Sequence, residues 1–485
     1  MTPRRAALSL LLILALLGCA HYPLNSPLQT YDIRAGYRFD SLTPGAGNTD
    51  SIFLCLTFSG GGTRAAALAY GVLQELRDTI ISSQGTSRPL LSEVDCLSSV
   101  SGGSFASSYY ALFRDRIFQD FESRFLRRNI QGELAGQVLN PGNWIRLMSP
   151  NFSRIDLAGE LYDEKVFEGK RYRDLVGRTR PFIILNATNM ALGSRFEFTQ
   201  DQFDFLGSDL AAFPIGRAAA ASSAFPVLLN PISLKNYPSP DNFQVPTAVT
   251  NALEDAGTNP RRYLWARNLA LYLDKVERPF LHLMDGGLAD NIGLRAVSDA
   301  YTRGFIRRRV NEGAVKTLAV IVVNARTEPA EAIDKREASP GVVNVAMKTM
   351  TVSMENYSFE TVEFMRGLAG DRIQAQRDLA ACQQILDARC PGGGRIPTFA
   401  SEVSLHVVEI NFDQLLDSRE REYFLNLPTS FSLSNPQVDC LIAAGRKLLR
   451  SSAEYQHLLQ ELGGQLRPEA ALTAEFPPGN CKVER

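Results

Sequence analysis

Histidine is scarce in this sequence: four residues in 485, at His21, His282, His406 and His457. Any mechanism that needs an imidazole must draw on that short set. A basic excess is also missing. Lys and Arg total 51 against 52 Asp and Glu, for a formal net charge of -1. With no surplus of cations to neutralise phosphates, no nucleic-acid partner is expected. His, Cys, Asp and Glu do not cluster at metal-ligand spacing, so no metal or other cofactor is expected. No internal repeat or long low-complexity tract occurs. What is present is globular in composition: 45% hydrophobic, 9% aromatic and 21% charged residues.

The N-terminus reads as a leader. Arg4 and Arg5 precede an apolar run, Ala6 to Leu17, of twelve residues, short of the ~20 that a spanning helix needs. A basic start, a short apolar stretch and a small residue before a break mark a secretory signal over residues 1–18. The break Leu16-Leu17-Gly18-Cys19 resembles the lipobox of bacterial lipoproteins. That resemblance implies acylation of Cys19 and a membrane partner reached through the anchor. Ala20, rather than Asp, after the cysteine implies the outer membrane of a bacterial cell envelope. Residues 19–50 contain Pro23, Pro27, Pro44, Gly36, Gly45 and Gly47 and no periodicity, and are expected to be a tether.

Export permits disulfides among the six remaining cysteines. Cys382 and Cys390 bracket a short segment ahead of a glycine turn and are expected to bridge locally; Cys440 with Cys481 would then tie down the C-terminal tail. Cys55 and Cys96 lie in apolar strands and read as buried thiols.

The body opens with a strand, Ile52 to Phe58, then Ser59-Gly60-Gly61-Gly62-Thr63-Arg64, then a helical stretch from Ala65 to Leu76. Glycines between a strand and a helix let backbone N–H groups approach a ligand, and the helix start favours negative charge. The ligand is a phosphate or the oxyanion of an acyl-transfer intermediate. No Lys-Ser/Thr follows, which argues against a phosphate loop, and the dinucleotide glycine spacing also fails. A second strand, Val94 to Ser99, leads into Val100-Ser101-Gly102-Gly103-Ser104 and a helix from Phe105 to Phe113. Small residues around Ser101 fit a tight elbow that projects its Oγ, with Ser99 where a first glycine usually stands.

An alcohol oxygen needs a proton acceptor to become a nucleophile. His21 falls in the expected tether, His406 in a strand and His457 in a C-terminal helix. His282 precedes Asp285 by three residues along a strand, which directs it to the opposite face, and it reads as a satisfied core histidine. A Ser-His-Asp esterase of the α/β-hydrolase type stays open, although no histidine sits in an obvious catalytic loop. Asp285 ends an apolar strand and begins Asp285-Gly286-Gly287.

The Gly-Gly-Gly-x-Arg loop, the serine elbow and the late Asp-Gly-Gly, in that order, resemble the patatin-like phospholipase family. Ala218 to Pro226 also matches the family's Ala/Ser-rich helix ending at a proline. Ser59 and Ser99 depart from the usual Asp and Gly, but neither change removes an atom the chemistry needs. The resemblance implies Ser101 as nucleophile and Asp285 as base without histidine. It further implies amides of Gly60, Gly61 and Gly62 as the oxyanion hole, Arg64 as support for that loop, and a phospholipid or other acyl-ester substrate. A catalytically silent lipid-binding envelope lipoprotein is the alternative of a different class.

Strands at Phe182–Asn186, Leu318–Val323 and Glu402–Ile410, with helices between, predict a three-layer α/β/α body around a mostly parallel sheet. The expected division is a catalytic domain over 51–300 and an extension over 301–485 that completes the body. Residues 114–180 are expected to cover or connect around the site. Val343, Met347, Met350, Met354 and Tyr357 recur at helical spacing over 341–368. A core-packed stripe is the favoured reading, with a lipid-facing lid as the sharper one. Residues 425–449 are expected to form a loop and a closing helix.

Overall fold

The structure, a computed structural model, describes residues 20–83, 85–226, 228–328, 337, 339–390, 392, 394–395, 403–468 and 481. Cys19 and the leader lie outside the described residues, as does the Val343 side chain. The elements that position the site are, in chain order, β1 Ile52–Phe58, α1 Gly62–Asp78, β2 Val94–Val100, α2 Gly102–Phe113, α3 Arg154–Lys165, β3 Phe182–Asn189, β4 Ser194–Glu197 and α4 Ile215–Ser222. There follow β5 Ile232–Lys235, α5 Pro260–Ala270, β6 Phe280–Asp285, α6 Leu294–Arg303, β7 Thr317–Asn324, α7 Val342–Arg389, β8 Ser404–Asn411, α8 Asn435–Ser451 and α9 Ala453–Glu461.

Hydrogen-bonded neighbours in the sheet run β8-β7-β1-β2-β3-β6-β5, with β4 also on β3. The pairs from β8 through β3 are parallel, whereas β4, β5 and β6 pair antiparallel. Every residue of β1, β2, β3 and β7 is buried, as expected of strands covered on both faces. One covering layer contains α1, α2, α3, α4 and α8; the other contains α6 and α7. The three-layer α/β/α expectation is borne out. Helices α1 and α8 cross closely because Gly71 faces the Ile442 carbonyl and Gly445 the Leu68 carbonyl, where a side chain would overlap backbone.

The expected tether is corrected. Residues 20–50 lie along the body, because Tyr37, Phe39 and Leu42 are buried and the Tyr37 hydroxyl accepts the Ile183 N–H at 2.7 Å. Arg38 pairs with Asp201 and Asp204 at 2.5 and 2.6 Å. A few aromatic anchors suffice to hold a segment that has no periodicity.

The cysteines also differ. Cys55 and Cys96 are partners in register across β1 and β2 and form a disulfide rather than two buried thiols, their Cα atoms 4.6 Å apart. Cys440–Cys481 forms as expected. Cys382 and Cys390 are free and exposed. Cys382 stands on α7 and Cys390 caps its C-terminal end, eight residues and so about 12 Å apart along the axis, beyond the reach of a disulfide. That helix is longer than expected, because the pattern continues in helix-forming residues to Arg389. Its stripe is only partly covered: Met347, Met350 and Met354 are half-buried, whereas Tyr357 is exposed. Among the described residues no helix is long and apolar enough to cross a membrane.

Candidate active site

The sheet's register brings the site together. Asn186 of β3 is the partner of Val100 in β2 and of Glu197 in β4, on its two edges. Ala187, next along, is the partner of Phe196 in β4 and of Asp285 in β6. β2 and β6 therefore occupy the same edge of β3, one parallel and one antiparallel to it, and their C-terminal ends meet. Ser101 follows the end of β2, and Asp285 is the end of β6.

Ser101 has φ 49° and ψ -121°, a positive φ that a non-glycine residue adopts only under constraint. Several bonds supply the constraint. The Ser101 N–H donates to Ser222 Oγ at 2.9 Å, and Ser222 Oγ donates to the Asn186 carbonyl at 2.6 Å. Ser104 and Ser222 hydroxyls lie 3.0 Å apart. The same end of α4 holds the other motif: Asp285 N–H donates to the Ala224 carbonyl at 3.0 Å, and Gly286 N–H to the Ser222 carbonyl at 3.1 Å. Ser222 thus joins the serine elbow to the aspartate turn. The Ala/Ser-rich segment was visible in the sequence, but this role was not.

Asp285 is buried, 3% exposed. One oxygen, Oδ1, accepts the Gly287 N–H at 2.8 Å. Burial pushes its pKa up to about 7, and the hydrogen bonds from Gly287 and the Ser101 side chain restrain that rise. A carboxyl so placed takes up a proton near neutral pH, as a general base must.

The glycine loop closes the third side. Gly60 N–H is already donated to the Asn291 carbonyl at 2.9 Å, whereas no acceptor among the described residues takes the N–H of Gly61 or Gly62. Gly62 has φ +59°, and Gly102 lies against its carbonyl so closely that a Cβ on Gly102 would overlap it. Here absent side chains let the two motifs touch. Asn291 Oδ1 stands between the loops, 2.7 Å from where a Cβ on Gly60 would lie and 2.9 Å from one on Gly287.

Arg64 is buried and donates to the carbonyls of Ala325 and Leu427, each at 2.9 Å, and to Thr429 Oγ1 at 3.1 Å. Burial lowers its pKa to about 10. Ser59 Oγ accepts the Ala325 N–H at 2.8 Å, and Thr63 N–H donates to the Ser430 carbonyl at 2.9 Å. Residues 425–431, expected to be only a connecting loop, therefore form a wall of the glycine loop. Phe431 anchors that wall against Phe105, Phe125 and Tyr162. On another side, Met354 of α7 places its methyl carbon 2.6 Å from where a Cβ on Gly287 would lie.

The histidines lie elsewhere. His282 is exposed on β6 and bonds Ser233 at 2.9 Å, which corrects its reading as a core residue. His406 pairs with Glu461 at 2.8 Å and lies beside His457, the two rings tilted, and His21 bonds the adjacent carbonyl of Tyr22 at 2.7 Å.

Among solved structures, human GIVD cytosolic phospholipase A2 is 15% identical over 56% of this chain and 43% of that one, with a TM-score of 0.29. Its complex with methyl gamma-linolenyl fluorophosphonate is 12% identical over 85% of this chain and 59% of that one, TM-score 0.38. VipD from Legionella pneumophila is 13% identical over 92% of this chain and 72% of that one, TM-score 0.31. The chain spans less than half the length of the first of these. No curated protein matches it. The family described as Patatin-like phospholipase matches residues 56–298, half of the chain and the span that holds Ser101, Asp285 and the glycine loop. The chain belongs to the patatin-like phospholipase family.

Proposed function

We propose that the protein is a lipid acyl hydrolase that works through Ser101 and Asp285. The observation that carries this reading is the meeting of a strained serine with a buried carboxyl whose pKa is about 7. In the first step Ser101 Oγ attacks the ester carbonyl and its proton passes to Asp285. The tetrahedral oxyanion takes the free amides of Gly61 and Gly62, each of which contributes about 3 kcal/mol in comparable sites. Gly60, with its amide engaged by Asn291, shapes the turn. Asp285 then hands the proton to the leaving alcohol, which departs and leaves an acyl-serine. Water attacks that acyl group, with Asp285 taking its proton and returning it to Ser101 as the acid leaves.

Arg64 acts at one remove, clamping the glycine loop to the ends of β7 and the 425–431 segment. We assign the substrate to phospholipid or related acyl esters from family membership, and membrane proximity to acylation of Cys19 in a bacterial envelope. The dry surroundings of Asp285 support the acid–base role, because a solvated carboxyl near its ordinary pKa is a feeble base for an alcohol. The test is a fluorophosphonate probe on the folded protein, read by peptide mass spectrometry. Labelling at Ser101, lost in Ser101→Ala, is expected. Absence of labelling on folded protein would favour the silent lipid-binding alternative.

A further inference from the structure

A groove of about 460 Å³ opens between α5, α6 and α7, and neither Ser101 nor Asp285 lines it. Five arginines and two carboxylates do, in a chain whose charges otherwise balance. One carboxylate, Asp299, is shared by Arg195 at 2.5 Å and Arg303 at 2.6 Å. Arg261, Arg267 and Arg295 make no ion pair among the described residues. Arg195 also pairs with Glu197, and the buried Asp290 acts on Arg195 and Arg295, so the surplus positive charge rests on the exposed Arg261 and Arg267, where an entering anion would balance it.

The guanidinium groups are held by aromatic faces. Arg261 lies 4.0 Å from the Phe364 ring centre, Arg295 5.1 Å from Tyr357 and Arg303 5.0 Å from Trp265. Stacking uses the face of a guanidinium and leaves its in-plane N–H groups for an acceptor. Several such forks around one opening suit an oxygen-rich phosphate better than a carboxylate, which satisfies one fork. The rim carries apolar side chains: Leu264 and Tyr357 are 45% and 49% exposed. Basic groups beneath exposed apolar side chains match the depth profile of a lipid headgroup and the acyl chains below it.

We propose that this groove binds the phosphate of an anionic lipid headgroup, seating α5 and α7 on a membrane surface. The assignment is independent of the hydrolase reading, since it needs neither Ser101 nor Asp285. It also places a ligand beside the dyad. Arg295 donates to the Ala289 carbonyl at 2.9 Å, and its N–H to Asp290 Oδ2 at 2.8 Å, in the turn that follows Asp285. α7, which carries Phe364, also carries Met354 against Gly287.

Trp265 is a built-in reporter, because the chain has only one other tryptophan, Trp144. The experiment uses the full chain carrying Trp144→Phe and follows Trp265 fluorescence. It is titrated with phosphatidylcholine vesicles, the same vesicles containing phosphatidic acid, and inorganic phosphate. A saturable change is expected with phosphatidic acid, weakened by salt and about tenfold or more weaker after Arg261→Gln with Arg267→Gln. Melting temperature verifies that the double variant is folded. An equal response to phosphatidylcholine alone, or unchanged affinity in the folded double variant, overturns the site. Inorganic phosphate binding as tightly as the phosphatidic-acid vesicles overturns the lipid assignment.

Discussion

Replacing Asp285 by Asn tests the reasoning about the dyad through stability as well as activity. Asn keeps the shape and the Oδ1 acceptor for the Gly287 N–H but cannot ionise. In the native protein the carboxyl is buried with only hydrogen bonds to offset its charge, and its pKa rises from 3.8 to about 7. Holding it ionised in the folded state therefore costs about 4 kcal/mol relative to the unfolded chain. The sign follows from proton uptake. Between pH 4 and 7 the native state binds the proton that the unfolded state has released, so stability falls as pH rises and the full cost stands above about 7. Asp285→Asn removes that cost. Thermal and denaturant unfolding should show the variant more stable than the parent at pH 8, by up to about 4 kcal/mol, with the advantage vanishing near pH 4. Ester hydrolysis should be abolished at every pH, while the parent's rate rises through neutral pH as the base ionises. An Asn variant with the same stability difference at both pH values would refute the burial argument, and retained hydrolysis would point to a histidine base.

Ser222→Ala should leave the fold intact but free the Ser101 backbone, lowering kcat by roughly tenfold to a hundredfold with KM little changed; an unaltered kcat would deny Ser222 its positioning role. Removing the Cys440–Cys481 bridge, which closes 41 residues of chain, should cost about 4 kcal/mol by loop entropy. Equilibrium unfolding of Cys440→Ser measures this, and no loss of stability would refute it.

Local pattern was enough for much of the architecture. Continuous apolar runs at Ile52–Phe58 and Leu318–Val323 announced strands buried on both faces, because only a covered parallel sheet tolerates them. The glycine loop and the serine elbow were also legible, since tight strand-to-helix turns demand small residues at fixed offsets. The span 20–50 was misread because its anchoring depends on Tyr37 and Phe39 meeting side chains distant in sequence. The Cys382–Cys390 bridge failed for the opposite reason: the helix separates residues that lie close in the chain.

By itself, then, the sequence singled out the residues proposed to carry the chemistry: Ser101, Asp285 and a glycine loop. Tertiary structure decided that they meet. Ser101 and Asp285 are far apart along the chain, and only β3, offering one edge to β2 and β6 running in opposite senses, sets their ends together. Ser222, Asn291 and the 425–431 segment entered the site the same way. Hydrogen bonding and close backbone approach at a site are properties of register and packing, and no local periodicity encodes them.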